Sequence, residues 1–321
     1  MTLARRRLVT ALSALPLLPA TSRAQGWPTR SVRFLVGYAA GGSITISARL
    51  LGDTLGQVWG QSVVIENRVG AGGTIAAAAV ARADPDGYTL LISAAGELVG
   101  APYTMANMAY DPQKDLKPIS LIARNPLMLV VPASLPVRNL QELLDLAKRQ
   151  PLSYASGGVG TATHFVAELF KLRSGANIEH VPYRGSGDLQ ADLQAGRVHM
   201  TFDAISVMLP QVEAGRVRAI GVTSATRSPQ APNIPTLAEL GVRDFAGGGW
   251  VGLLGPAGLP APVVEKIERD VRAAVRGGLG AQLATRGFDP VGSSGAEFRS
   301  FISEETTRWG EAARAAGMRP A

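Results

Sequence analysis

Two stretches of the chain put glycines and hydroxyls where an apolar run hands over to a helix-like one. The first is YASGGVGTATHF, Tyr154 to Phe165, with Gly157, Gly158 and Gly160 between Ser156 and the group Thr161, Thr163 and His164. The second is YAAGGSIT, residues 38–45, where Tyr38, Ala39 and Ala40 precede Gly41, Gly42 and Ser43. The first amides of a helix have no partner within it and carry the positive end of its dipole. A carboxylate or phosphate set there takes several charge-assisted hydrogen bonds, each contributing roughly 1.5–3 kcal/mol. The alternative at each place is a capped turn, with Thr161 or Ser43 as the cap. If both stretches lie at the carboxyl edges of strands in two facing lobes, they clasp one small molecule between them.

Other site chemistries find no foothold. His164, His180 and His199 are spaced by 16 and 19 residues, and no His-x-x-x-His pair exists, so a zinc site is not expected. There is no cysteine, which removes disulfides, thiolate catalysis and a lipoprotein anchor. The Gly-x-Ser-x-Gly elbow of serine hydrolases is absent. GGVGTAT and GAGGTIA fail as dinucleotide fingerprints, at Thr163 and Ile75, and neither carries the Lys-Ser/Thr of a phosphate loop. The expectation is a binding protein without cofactor or metal, not an enzyme.

The elements that must hold these turns alternate along almost the whole chain. SVRFLVGYAA (31–40), SVVIEN (62–67) and YTLLISAA (88–95) read as strands, and residues 43–60 and 73–83 as the helices between them. Helical spacing over 43–60 is carried by Ile46, Leu50, Leu51, Leu55 and Val58. The middle repeats the rhythm, with strands at LMLVVPA, LSYAS, IEHVPY, VHMTFDA and VRAIGVTS. GWVGLLGP then reads as a strand, and two long amphipathic helices close the chain. Such alternation implies α/β architecture with largely parallel sheets. Residues 111–126 and 224–236 have the composition of crossing segments. The division expected is 25–124 for one lobe, 125–225 for the second, and 226–321 returning to the first.

The N-terminus reads as an export signal. Arg5, Arg6 and Arg7 precede an apolar stretch from Leu8 to Leu18 and then Ser22-Arg23-Ala24, the small-x-small pattern of a cleavage site. Removing residues 1–24 lowers Lys+Arg from 32 to 28 against 25 acids, so the formal +7 becomes +3. A charge that small, spread along the chain, argues against nucleic acid as a partner.

Seven stretches resemble the tripartite tricarboxylate transporter substrate-binding receptors, the Bug family. They are VGYAAGGS (36–43), residues 60–91, AYDPQKDLKPIS (109–120), SYASGGVGTATHFVAELFK (153–171), residues 180–203, residues 209–241 and WVGLLGPAGLP (250–260). The resemblance implies a two-lobed periplasmic binding protein of type II-like fold, a monomer. It implies a small organic carboxylate as ligand, whether a di- or tricarboxylate, an aromatic acid or a related solute, and membrane permease subunits as partners. Carried over by position, it makes Tyr38–Ser43, Ser93, Ser156–Gly158, Gly160, Thr161, Thr163, His164, Tyr183 and Asp203 the ligand-binding set. Two other functions stay open: presenting the closed form to a sensor kinase, or exported α/β hydrolysis. Thr45 stands where the family commonly has an acid, and residues 94–105, with Glu97, depart from the family pattern. For His164 the alternative to ligand contact is support of the glycine turn, for Tyr183 a hinge or packing role, and for Asp203 a cap or an ion pair.

Overall fold

The computed structural model describes residues 26–243, 245, 247–315, 317, 318 and 320. The export signal expected over 1–24 lies outside the described residues. Among the described residues, ten strands form one mixed sheet in the order β2-β1-β3-β9-β4-β7-β5-β6, with β8 and β10 also pairing β4. The strands that organise it are β1 (Val32–Val36), β2 (Val63–Asn67), β3 (Thr89–Ser93), β4 (Leu116–Pro132), β5 (Leu152–Ser156), β6 (Ile178–Pro182), β7 (Met200–Ala204), β8 (Val217–Val222), β9 (Gly248–Pro256) and β10 (Asp289–Pro290).

The expected βα series occupy the two ends of this sheet. There β1 pairs β2 and β3 in parallel, and β5 pairs β6 and β7 in parallel. The middle is antiparallel, because one long strand runs through both lobes. The first part of β4 pairs β9 from Leu116↔Pro256 to Pro126↔Gly248, and its second part pairs β7 and β8. Nearly all of β4 is buried, as expected of a strand covered on both faces. Pro118 lies beside a register shift in the β4–β9 ladder, where a missing amide hydrogen is tolerated.

Hydrophobic burial divides the chain. One core gathers Leu127, Tyr154, Phe170, Phe202 and Phe245. Two others lie in the remaining lobe: one with Phe34, Leu51, Leu55, Ile267 and Val271, the other with Leu35, Val80, Leu91, Phe298 and Trp309. Ala231, Leu237, Val242 and Phe245 pack in the first of these cores. The 224–236 segment therefore stays with the second lobe, and the chain returns through β9. The segment reads as a crossing because its prolines break the apolar periodicity, although Ala231 is buried and Ile234 half-buried.

Helix α1 (Ser43–Trp59) buries Ile44, Ala48, Leu51, Leu55 and Trp59 along one face and leaves Val58 exposed. The other helices used below are α2 (Thr74–Ala81), α3 (Ala101–Thr104), α4 (Leu140–Arg149), α5 (Ala162–Ser174), α6 (Ser186–Gln194), α7 (Ile205–Glu213), α8 (Ala261–Arg276), α9 (Gly278–Ala284) and α10 (Gly295–Ala315).

Candidate functional site

Three helix N-termini meet in a narrow cleft of about 50 Å³: Gly42, Ser43 and Ile44 of α1, Thr161, Ala162 and Thr163 of α5, and Gly185 and Ser186 of α6. The first comes from one lobe, the other two from the opposite lobe. The lobes touch around the cleft. Ala39 N–H donates to Arg184 O across the gap at 3.3 Å, and a Cβ on Gly42 would lie 3.6 Å from Ser186 Cβ.

The glycine turn after β5 spends its own amides internally. Gly157 N–H donates to Thr163 Oγ1 at 2.8 Å, Gly158 N–H to Ser156 Oγ at 3.1 Å, and Gly160 N–H to His164 Nδ1 at 3.2 Å. Thr161 caps α5 by accepting His164 N–H and donates to Gly158 O at 2.7 Å. Positive φ at Gly158 and Gly160 lets the chain make this turn. Ala162 and Thr163, the first two residues of the helix, line the cleft, and their amides have no partner within the helix. Capping and anion binding are thus compatible here, since the cap takes the third amide.

Helix α1 has no side-chain cap. Gly42 is the N-cap, Ser43 is the first helical residue, and Ile46 N–H is the first to bond back, to Gly42 O. The capping role considered for Ser43 is therefore not the one it has. Its Oγ accepts from Asn125 Nδ2 at 2.8 Å, a contact from β4. Asn67 Nδ2 reaches Tyr38 O and Thr45 Oγ1, pinning the loop before the helix. Helix α6 also starts uncapped, at Gly185.

Among the described residues no lysine, arginine or histidine lines the cleft. Its polar side chains leave three buried atoms with no hydrogen-bond partner among the described residues: Asn125 Oδ1, Asp203 Oδ2 and Trp250 Nε1. Asp203 Oδ1 accepts from Ser186 Oγ at 2.7 Å and from Ala204 N–H at 2.7 Å. Burial pushes the Asp203 carboxyl up to about 6, against those two hydrogen bonds. Tyr38, Ile44, Ala94, Leu127 and Trp250 form the apolar walls.

Of the expected set, Tyr38, Gly42, Ser43, Gly157, Thr161, Thr163 and Asp203 line the cleft. Ala39, Ala40 and Gly41 lie beside it in the loop that meets Arg184–Gly187. Ser93 is buried and donates to Ala94 O. Gly158 and Gly160 form the turn without lining the cleft, and Ser156 and His164 sit behind it. His164 and His180 stack with centroids 4.1 Å apart, Tyr154 continues the stack, and Ser156 Oγ is 2.6 Å from His180 Nε2. Burial holds both imidazoles down at about 4, so they support the turn as neutral rings. Tyr183 points its hydroxyl at Asp192, 2.6 Å away. Asn125, Ser186, Ile44, Ala94, Leu127 and Trp250 were not in the expected set. Asn125 stands in a stretch that reads as a connector, and Ile44, Ala94 and Leu127 carry no chemical signal.

The model of the tripartite tricarboxylate transporter family receptor matches residues 47–318. A Pseudomonas protein described as the UPF0065 protein in a tcbD-tcbE intergenic region is 36% identical over 311 residues, 95% of this chain and 92% of its own length. Among solved structures, R. palustris Rpa4515 with adipate superposes with a TM-score of 0.89 at 37% identity, covering 92% of this chain and all of its own. MatC from Rhodopseudomonas palustris with bound malate superposes at 0.84 and 30% identity, over 89% of this chain and all of its own.

Proposed function

This chain belongs to the tripartite tricarboxylate transporter receptor family, and from that premise we propose that it captures a small organic carboxylate between its lobes and delivers it to membrane permease subunits. The observation that carries this is the convergence of three helix N-termini on one cleft without a cationic side chain. Their unpartnered amides offer fixed donors for a carboxylate from both lobes. A solute that bridges them favours the closed arrangement, so binding and closure are one population shift. The similar proteins solved with adipate and malate are carboxylate complexes, which supports the solute class.

The family is one of solute receptors, not enzymes. Ser156 and His180 are bonded, but they are held behind the glycine turn, where Ser156 Oγ also accepts Gly158 N–H. Receptors of this family work outside the cytoplasm. No helix among the described residues is long and apolar enough to cross a membrane. We assign residues 1–24 to export, action as a monomer to the periplasm, and the cleft-lining residues to the solute.

The test is titration of purified protein against three- to six-carbon mono- and dicarboxylates, malate and adipate among them, by calorimetry and native mass spectrometry. Saturable one-to-one binding of a carboxylate, absent for the matching amide, is the expected result. Binding of amides and carboxylates alike would overturn the anion reading.

A further inference from the structure

Behind the cleft wall lies an acid that the receptor chemistry above does not use. Glu97 is fully buried on the π-helical turn Gly96–Gly100. Its Oε1 accepts Ala94 N–H at 2.9 Å, its Oε2 lies 2.6 Å from Tyr38 Oη, and Tyr38 Oη lies 3.0 Å from Gly72 O. A phenol has one hydrogen. If Glu97 is a carboxylate, Tyr38 Oη faces two acceptors and one of the two contacts holds no hydrogen. If Glu97 is a carboxylic acid, it donates to Tyr38 Oη, Tyr38 donates to Gly72 O, and Oε1 still accepts from Ala94. Only the neutral form places a hydrogen in both Tyr38 Oη contacts.

We propose that Glu97 is a neutral carboxylic acid in the closed receptor and that it positions Tyr38 and the Gly72 turn against the second lobe, so that solute affinity depends on its proton. This rests on the receptor reading. The wall that Glu97 holds is where the second lobe seats. Tyr38 and Ala94 line the cleft. A Cβ on Gly72 would lie 2.7 Å from Val159 O, and one on Gly96 3.5 Å from Thr161 Cα.

The surroundings supply no cation to hold a carboxylate there. Tyr38 and Tyr110 face the acid, and burial drives both phenols up. Tyr110 Oη donates to the Glu97 carbonyl. Helix α10 packs on the same turn, and its Glu305 is paired with Arg308. In the facing lobe the His164 ring is neutral and engaged by Gly160 N–H. Burial raises the Glu97 carboxyl to about 7.

Glu97→Gln tests the idea, because an amide reproduces the neutral network: Nε2 donates to Tyr38 Oη and Oε1 accepts from Ala94. Wild-type affinity for the tightest carboxylate of the panel should fall about tenfold between about pH 6 and about pH 9. Glu97→Gln should bind about as tightly as wild type at the lower pH and lose the dependence. Tyr38→Phe, which removes the relay, should lose it too, should the first variant fail to fold. The wild-type infrared spectrum near neutral pH should show a protonated-carboxyl band that Glu97→Gln lacks. Equal pH profiles in all three proteins, or no such band, would overturn the proposal. If no carboxylate binds any variant at either pH, the receptor reading fails. The infrared band then still decides the state of Glu97.

Discussion

Replacing Gly100 by alanine should prevent the lobes from closing without touching the cleft. Gly100 ends the π-helical turn with φ −86° and ψ −45°, where an alanine is unstrained. Its added Cβ would sit 1.9 Å from Gly160 O, a backbone atom of the opposite lobe. Cβ contacts closer than 3.0 Å are essentially never adopted, so the two surfaces must part by at least 1.1 Å, the difference between 3.0 and 1.9 Å. Gly160 has little room to retreat, since its amide is held by His164 Nδ1 and its φ is +81°. Overpacking of this kind costs about 1–3 kcal/mol. Here the whole cost falls on the closed form, so affinity should drop about 5- to 150-fold. The melting temperature of the free protein should hold, because separated lobes relieve the clash. Calorimetric titration measures the first quantity and calorimetric unfolding the second. Gly278→Ala, with nothing within 4 Å of its Cβ, is the control. A Gly100→Ala protein that binds as wild type would refute closure through this contact. Gly160→Val is a poorer probe, because positive φ and an approach to Thr104 Oγ1 strain the turn itself.

Gly187→Ala should give the same phenotype from the other rim, its Cβ meeting Ala40 O at 2.2 Å; unchanged affinity would sink that contact. Asp203 lines the cleft and its Oδ2 is a buried acceptor without a partner, so a carboxylate bearing a hydroxyl or ammonium should bind about tenfold more tightly than its unsubstituted analogue. Matched titrations of succinate, malate and aspartate check this, and equal affinities speak against it. Stability should respond to pH with two opposed signs. His164 and His180 sit near 4 against an ordinary 6.5, so the unfolded chain binds more protons in that window and stability rises with pH there. Glu97, at about 7 against 4.5, and Asp203, at about 6 against 3.8, bind more protons when folded and lower stability as pH rises through their windows. Removing one of the two acids in Glu97→Gln should therefore make the melting temperature climb more steeply than wild type between about pH 5 and 6.5, and superimposable curves would contradict these assignments.

What the sequence displays and what it hides follow from the range of each interaction. The turns at Gly41–Gly42 and Gly157–Gly160 are legible because positive φ at Gly41, Gly158 and Gly160 favours glycine there. The strands and helices around them are legible because each buries its own stripe. The third N-terminus, at Gly185–Ser186, is less visible. Gly185 has φ +146° and packs a rim against Ala39, a contact between residues far apart in sequence. The first part of the through-going strand β4, residues 116–126, is hidden for a similar reason. Pro118 and Pro126 give it the look of a connector, yet β9, more than a hundred residues later, supplies its ladder. Glu97 stands out only as an odd acid in an unfamiliar stretch. Its partners Tyr38, Gly72 and Tyr110 come from three other segments.

A site built from backbone amides should resist alanine scanning and yield to proline. Ser43 is the first residue of α1, and Gly42 before it has φ −78° and ψ 161°, a conformation that a following proline accepts. Proline suits the first helical position, where the missing N–H has no partner in the helix. Ser43→Pro therefore deletes one cleft donor and keeps the helix. Ser43→Ala keeps that donor and removes only the hydroxyl that meets Asn125. The same logic applies across the cleft at Ala162, where Thr161 has φ −77° and ψ 163° and no side-chain function is lost. Each deleted charge-assisted bond is worth about 1.5–3 kcal/mol, or roughly 10- to 150-fold in affinity. Ser43→Ala, losing a neutral bond, should cost less than about tenfold. Titration of the three variants against one carboxylate, with helicity checked by circular dichroism, separates the cases. If the prolines bind as well as wild type while the alanine does not, the hydroxyls hold the solute and the helix N-termini do not.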